Sequence, residues 1–407
     1  MNCRHCSKPL HNVFLDLGFA PPSNAYLSDY DLKRPEKYFP LKIMVCDECW
    51  LVQTEDYADA DALFNSDYAY FSSTSATWLD HALRYTNTMI PLLGLDTESM
   101  VVEVASNDGY LLKNFVAQAI PCLGIEPTAS TAEAAERLGI PVLREFFGEA
   151  LGRRLALQGK KADLIIGNNV YAHVPDINDF TLGMKVLLKP EGTITLEFPH
   201  LMELLKYGQF DTVYHEHFSY LSLFTVSRIF KRAGLRIYHV EQISTHGGSL
   251  RIYGCHAENA KASTGAVANI LDQEAKFSML SLPVYLNFQE QANKLKNDLL
   301  SFLLDCKRQG KKIAAYGAAA KGNTVLNYAG IKPDLLPFVC DAAPAKQGKY
   351  MPGSHIPILP PAALRKSKLD YVIILPWNIA DEVKSQLSDL IQSGVQIVTA
   401  VPELKIT

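Results

Sequence analysis

The sequence has no excess of basic residues: 39 Lys and Arg stand against 43 Asp and Glu, for a formal net charge of −4. Nucleic-acid binding rests on clustered cations that neutralise phosphates, so no nucleic-acid partner is expected. Long apolar runs are missing too. Stretches such as Ala162–Gly167 and Tyr371–Leu375 have strand length, whereas a bilayer span takes about 20 residues, so no membrane partner is expected either. The opening MNCRHCSKPL lacks the apolar core of a secretory signal. Cysteine is sparse, and of the eight, four form two C-x-x-C pairs while Cys122, Cys255, Cys306 and Cys340 stand alone. That pattern fits metal binding in a reducing compartment rather than a disulfide framework, and a cytoplasmic protein is expected. The dinucleotide fingerprint G-x-G-x-x-G and any short-period repeat are absent as well.

What is present separates into three regions. Residues 1–70 hold both cysteine pairs among loop-forming and aromatic residues, with little periodicity, and read as a metal-binding module. Residues 71–260 alternate strand-like runs (SMVVEVAS, CLGIEP, ADLIIGNN, GTITLEFP, SLRIYGCHA) with helix-like ones (DGYLLKNFVAQ, STAEAAERLG, LFTVSRIFKRAGL). Such alternation predicts an α/β domain on a parallel, doubly wound sheet. Residues 261–407 begin with long helices, with no Gly or Pro between Val284 and Gln309, and end in a second Rossmann-like α/β unit (KKIAAYG, LLPFVCD, DYVIILP, VQIVTAVP). The sequence fixes no oligomeric state, and a monomer is expected.

Cys3-x-x-Cys6 and Cys46-x-x-Cys49 each place two thiolates on one turn, and four thiolates complete a tetrahedral zinc shell. Such a closed shell leaves no open position, so the zinc is read as structural. His5 lies inside the first pair and reads as an exposed loop residue rather than a ligand.

In VVEVASNDGYLL a strand runs into a turn of small residues, Ala105, Ser106, Asn107 and Gly109, and then into a helix. Ligands of doubly wound sheets bind at such strand ends. The next strand ends in Glu126, which can accept hydrogen bonds from both hydroxyls of a ribose or be a plain solvated carboxylate. The pattern Glu103-x-Ala105-x-Asn107-x-Gly109 suits S-adenosylmethionine, which has a ribose but no pyrophosphate needing a glycine cradle.

VYHEHFSY, Val213–Tyr220, concentrates His215, Glu216, His217 and two tyrosines. These residue types serve metal sites, proton transfer and hydrogen-bonded corners alike. The helical His-Glu-x-x-His spacing of a catalytic zinc site is absent. In an extended chain Tyr214 and Glu216 would share one face, and His215 and His217 the other. HGGSLRIY, His246–Tyr253, is a second candidate loop: its glycines permit close approach and Arg251 can pair with phosphate, although a turn before a strand explains it equally well. IAAYGAAAKGNT repeats the strand, turn and helix arrangement with Lys321 at the helix start, a natural anion site. Asp341 would be the ribose carboxylate if this unit bound NAD.

Taken together, Glu103–Leu112, Glu126, NNVYAHVPD (Asn168–Asp176), YHEHFSYLS (Tyr214–Ser222), the cysteine pairs, YGAAAKGNT and DAAPAKQGKYMPGSHIPI resemble the sugar C-methyltransferases, the tetronitrose type among them, along essentially the whole chain. The resemblance implies a zinc module, a class I methyltransferase domain and a C-terminal Rossmann-like domain. It also implies S-adenosylmethionine-dependent methylation of a nucleotide-diphosphate 4-keto-6-deoxyhexose at C3. A base would remove the proton beside the keto group, and the enolate would take the methyl. On that resemblance His217 is the base, Tyr214 steadies the enolate oxygen, Glu216 orients the sugar, and His173 and Tyr68 line the pocket. Glu103, Ala105, Asn107, Gly109, Glu126 and Asn168 hold the cofactor. Tyr316, Gly317, Ala318, Lys321 and Asn323 hold the nucleotide end, and from its own stretch Arg251 is added as a candidate for the phosphate. The competing expectation is an NAD-dependent oxidoreductase or epimerase on the same sugar class. One departure stands out: the family often has EIGSNDG where this chain has EVASNDG. Ala105 is harmless at a negative φ and costly at a positive one.

Overall fold

The computed structural model describes residues 1–55 and 71–407. The first region carries more order than its composition predicts: β1 (Asn12–Ala20), β2 (Phe39–Val45) and β3 (Val52–Thr54) form an antiparallel sheet. Its apolar residues do not alternate cleanly because β1 is bulged twice against β2, and each bulge breaks the period of two.

The middle sheet starts with β4 (Val101–Val104), β5 (Cys122–Ile125), β6 (Val142–Leu143), β7 (Ala162–Asn168) and β8 (Leu188–Pro199), all parallel. The chain then leaves it. β9 (Ser219–Tyr220) pairs with β3 instead, Tyr220 opposite Val52 and Ser219 opposite Gln53, so the octapeptide is stitched to the cysteine-bearing region. β10 (Leu235–Ile243) and β11 (Ser249–His256) return to complete the order β10-β11-β8-β7-β4-β5-β6. β11 runs antiparallel to both neighbours, contrary to an all-parallel expectation, because only five residues join it to β10 and a parallel crossover needs a dozen or more. This is the class I methyltransferase sheet. Both faces are buried: Val102, Val104 and Ile165 point into one core, Val101, Leu164 and Ile166 into the other. β5 and β7 flank β4 on opposite sides, which makes the carboxyl end of β4 the switch point where a crevice opens.

The helical stretch comprises Gly265–Lys276, Leu282–Leu286 and Phe288–Arg308. Beyond it, β12 (Ile313–Tyr316), β13 (Val339–Cys340), β14 (Ile358–Leu359), β15 (Tyr371–Ile374), β16 (Gln396–Thr399) and β17 (Lys405–Ile406) form a separate sheet in the order β14-β13-β12-β15-β16-β17. One apolar core runs from Phe14, Leu15 and Leu41 through Tyr285 and Phe288 to Val325 and Val398. The first region is therefore packed onto the last, with the octapeptide between them.

Candidate active site and metal centre

The four predicted thiols converge. Sγ of Cys3 lies 3.5 Å from that of Cys49, Sγ of Cys6 lies 3.5 Å from that of Cys46, and all four fall within 4.8 Å of one another. Thiolates about 2.3 Å from a common zinc have this spacing, so the donor set fits zinc. Gln53 Nε2 donates to Cys3 Sγ at 3.2 Å. His5 is no ligand, as expected, but neither is it exposed: it is buried, its Nδ1 2.8 Å from Asn178 Oδ1, which docks the first knuckle on the helix Ile177–Leu187. The next residue along β3, Thr54, gives its hydroxyl to the His217 carbonyl.

At the carboxyl end of β4, Ala105 and Asn107 have φ of +58° and +49°, and Gly109 has +78°. A Cβ on Gly109 would stand 2.4 Å from Ile140 Cδ1, so glycine is required there. Ala105 is held in the left-handed region all the same, a conformation that costs a side-chain-bearing residue about 1 kcal/mol. Glu126 accepts the Asn107 amide at 3.0 Å and the Thr128 amide at 2.9 Å; it shapes the turn and is not the solvated carboxylate the local sequence also allowed. Asn107 Oδ1 and Asp108 Oδ2 accept the Ser72 and Ser73 amides. Burial, with the charges of Asp108 and Glu126, drives the Glu103 carboxyl well above its usual range. At this strand end Ser106 Oγ, Asp108 Oδ1 and both amide atoms of buried Asn168, which closes β7, have no partner among the described residues. Unsatisfied buried polar atoms beside a switch point are what a polar ligand such as S-adenosylmethionine would satisfy.

Within the octapeptide, Tyr214–His217 is a turn and not an extended strand. The His217 amide donates to the Tyr214 carbonyl at 3.0 Å, which overturns the predicted sharing of faces. Tyr214 and His217 meet with ring centroids 3.9 Å apart, while His215 turns away to the Pro40 carbonyl at 3.2 Å and the edge of Phe39. His217 Nδ1 lies 2.7 Å from the Thr212 carbonyl. A carbonyl only accepts, so Nδ1 carries the proton and Nε2 keeps its lone pair. The His173 ring stands 4.6 Å away. Burial, with His173, Lys321 and His246 nearby, holds His217 well below the usual histidine range, and burial takes His173 down to about 4. Both rings are neutral at pH 7. Glu216 is buried, which raises its pKa. Its Oε1 accepts from Asn24 Nδ2 at 3.1 Å, and its Oε2 has no partner among the described residues. Tyr68 lies outside the described residues.

Of the positions expected to bind the nucleotide end, the structure brings Lys321 alone to this cluster. Its Nζ is 3.2 Å from Asn378 Oδ1 and 4.7 Å over the Trp377 ring, whose Nε1 donates to Asp211 Oδ2 at 2.7 Å. The others are occupied. The Tyr316 hydroxyl donates to Gln386 at 3.0 Å. Gly317, with φ +93°, fits against Pro376, where a Cβ would stand 2.3 Å from Cδ. The Ala318 amide donates to Asp341 at 2.7 Å, and Asn323 Nδ2 donates to the Ser23 carbonyl at 2.5 Å. Arg251 is no phosphate ligand: it is ion-paired to buried Glu197 at 2.6 Å and to Glu241 at 2.9 Å, and His81 reaches the same Glu197 at 2.9 Å. Asp341 accepts the Ala318 and Ala343 amides, just as Glu126 accepts two amides of its own turn. Sequence reasoning missed Asn24, Asp211 and Trp377, whose partners are 166 to 192 positions away.

Three family models match in succession: a zinc binding domain over residues 3–64, a methyltransferase domain over 79–240 and a C-methyltransferase C-terminal domain over 244–402. C-methyltransferase NovU of Streptomyces niveus is 31% identical over 407 residues, covering 99% of this chain and 96% of its own. This chain belongs to the C-methyltransferase family. It is thus an enzyme of carbon methylation, with S-adenosylmethionine as cofactor and a zinc-binding cysteine cluster. Two solved structures are similar to less than half of this chain. Magnesium protoporphyrin IX methyltransferase of Synechocystis PCC 6803, with bound SAH, is 12% identical at a TM-score of 0.36, covering 44% of this chain and 83% of that one. PH0226 protein of Pyrococcus horikoshii OT3 is 13% identical at a TM-score of 0.39, covering 46% and 95%. In this C-methyltransferase no helix among the described residues is long and apolar enough to cross a membrane.

Proposed function

We propose that this C-methyltransferase acts on a nucleotide-diphosphate 4-keto-6-deoxyhexose and methylates C3 next to the keto group. The observation that carries the reading is His217, whose Nδ1 is pinned to the Thr212 carbonyl so that a neutral Nε2 is left as proton acceptor beside Tyr214. S-adenosylmethionine, when bound, supplies a methyl group already activated on a sulfonium, and the enzyme's own task is to make a carbon nucleophile. Glu103, the Ala105–Gly109 turn, Glu126 and Asn168 hold that cofactor at the end of β4 and β7. His217 Nε2 takes the proton from C3, and the electron pair moves into the adjoining carbonyl as an enolate. Tyr214 steadies the enolate oxygen, and Glu216, held by Asn24, turns Oε2, which has no partner among the described residues, to a sugar hydroxyl. Lys321 meets the diphosphate, whose negative charge offsets the small part that this cation adds to the burial depressing the His217 pKa.

Mass spectrometry of dTDP- and GDP-linked 4-keto-6-deoxyhexoses incubated with S-adenosylmethionine tests this. A gain of one methyl on carbon is expected, and His217→Asn should remove it while leaving S-adenosylhomocysteine binding within a few-fold. Near-normal turnover in that variant would overturn the assigned base.

A further inference from the structure

The loop joining β10 to β11 brings a histidine to this pocket in an unusual conformation. His246 has φ +55°, and Asn169, which follows β7, has +54°. Side chains other than glycine rarely adopt this region, and where they do the surroundings enforce it, often at functional sites. Here three contacts do so. Asn169 Nδ2 lies 3.2 Å from His246 Nε2. The Trp78 ring, on the helix Ala76–Leu93, stands 5.4 Å from the imidazole. Gly247, next in the chain, is pressed against Trp377 so closely that a Cβ would come within 2.3 Å of its ring. The loop is thereby caught between the middle sheet and the residue over which Lys321 lies.

An amide nitrogen donates, so His246 Nε2 is the acceptor of that hydrogen bond and Nδ1 carries the proton. The ring is partly exposed; the Lys321 ammonium opposes its protonation and the Glu197 carboxylate favours it, and Lys321 acts on His217 as well. Burial, with Lys321 next, takes its pKa down to about 4. His246 is thus a neutral imidazole in the same pocket as the proposed base, but in the opposite role: His217 offers a lone pair, and His246 offers an N–H.

We propose that His246 is a further catalytic residue, whose Nδ1–H donates a hydrogen bond to the oxygen of the deprotonated substrate, and that Asn169 is its positioning residue. This rests on the enolate reading of the reaction. The C3 proton goes to His217 Nε2, the C–H electron pair moves onto the carbonyl oxygen, and His246 donates without giving up its proton. A donor aimed at developing negative charge is worth about 100-fold or more in rate.

The test is exchange of the substrate's C3 hydrogen for solvent deuterium, followed on a dTDP-linked 4-keto-6-deoxyhexose with S-adenosylhomocysteine in the cofactor site, together with kcat, KM and Tm. His246→Asn keeps a residue that tolerates the left-handed backbone, and His246→Gly relieves it altogether. Both should lower exchange and kcat about 100-fold, with KM within about 3-fold. The Tm of His246→Gly should be unchanged or higher. Asn169→Ala should give a smaller loss of the same kind. Exchange within about 3-fold of the parent in both His246 variants, or losses that merely follow Tm, would overturn the proposal. Exchange persisting in His217→Asn would instead overturn His217 as the base, and no exchange in the parent enzyme would overturn the enolate reading on which the proposal rests.

Discussion

The middle and C-terminal sheets each end a strand in small residues, start a helix directly after, and place a carboxylate at the tip of the next strand. Glu126 and Asp341 even do the same work, each accepting two backbone amides of its own crevice. The difference lies in what remains. Around Glu126, Asp108 Oδ1 and both amide atoms of Asn168 have no partner among the described residues. Around Asp341, Lys346 Nζ stands 3.6 Å away and also takes the Ala318 carbonyl, Tyr26 donates to that carbonyl, and Pro376 closes over Gly317. Among the described residues the first crevice keeps several unpartnered atoms, whereas the second has spent Asp341 and the Ala318 carbonyl on holding the first and last regions together and keeps Asn323 Oδ1 unpartnered. Similar topology thus says where a ligand could sit and not whether one does.

The contrast can be broken most directly by exchanging the two carboxylates for alanine. Glu126→Ala should weaken S-adenosylhomocysteine binding about 100-fold by calorimetry, as expected for two lost hydrogen bonds to a charged group. Asp341→Ala should leave that affinity unchanged and lower Tm. Equal effects on affinity would end the distinction. Next in size, Lys321→Met should lower kcat/KM about 10-fold or more with S-adenosylhomocysteine affinity unchanged, because the C-terminal unit contributes a wall of the pocket rather than the cofactor site.

The acid limb sharpens the same difference. His173 and His246, pushed down to about 4 by burial, stay neutral in the fold but titrate near 6.5 once unfolded. Between those values the unfolded chain binds more protons, so stability falls as pH drops from 6.5 towards 4. Glu216 and Asp211, whose pKa values burial raises, oppose part of this loss. Thermal melts at pH 7 and pH 5 should show the decline, and His173→Asn should shrink it; an unchanged difference would remove His173 as its source. The smallest effect is expected from Ala105→Gly, which frees the turn from its left-handed penalty and should add about 1 kcal/mol of stability. A lower Tm would show that Ala105 is not strained.

Much of this was legible because it is local. Two C-x-x-C turns announce a tetrahedral thiolate site wherever the chain goes, and alternating apolar runs announce two α/β units. The Tyr, His and Glu content of Val213–Tyr220 marked the stretch, but pairing its residues by an extended-strand rule failed once His217 turned back on Tyr214. From the sequence, Arg251 after two glycines can pair with phosphate or simply sit in a strand that follows a turn. Its charge is instead spent on Glu197, 54 positions away, and no local pattern announces that pairing.

By itself the sequence determined the metal centre, the kind of sheet and the residues able to do acid–base chemistry, since ligand count, periodicity and side-chain type are properties of short segments. The tertiary structure alone decided which of those residues share a pocket. It set the proton on His217 Nδ1 through the Thr212 carbonyl, brought Lys321 and Trp377 against Asp211, and left the Asn168 amide without a partner among the described residues while Asp341 was filled. The physical reason is that a donor finds its acceptor, or fails to, only when segments far apart in the chain are packed together.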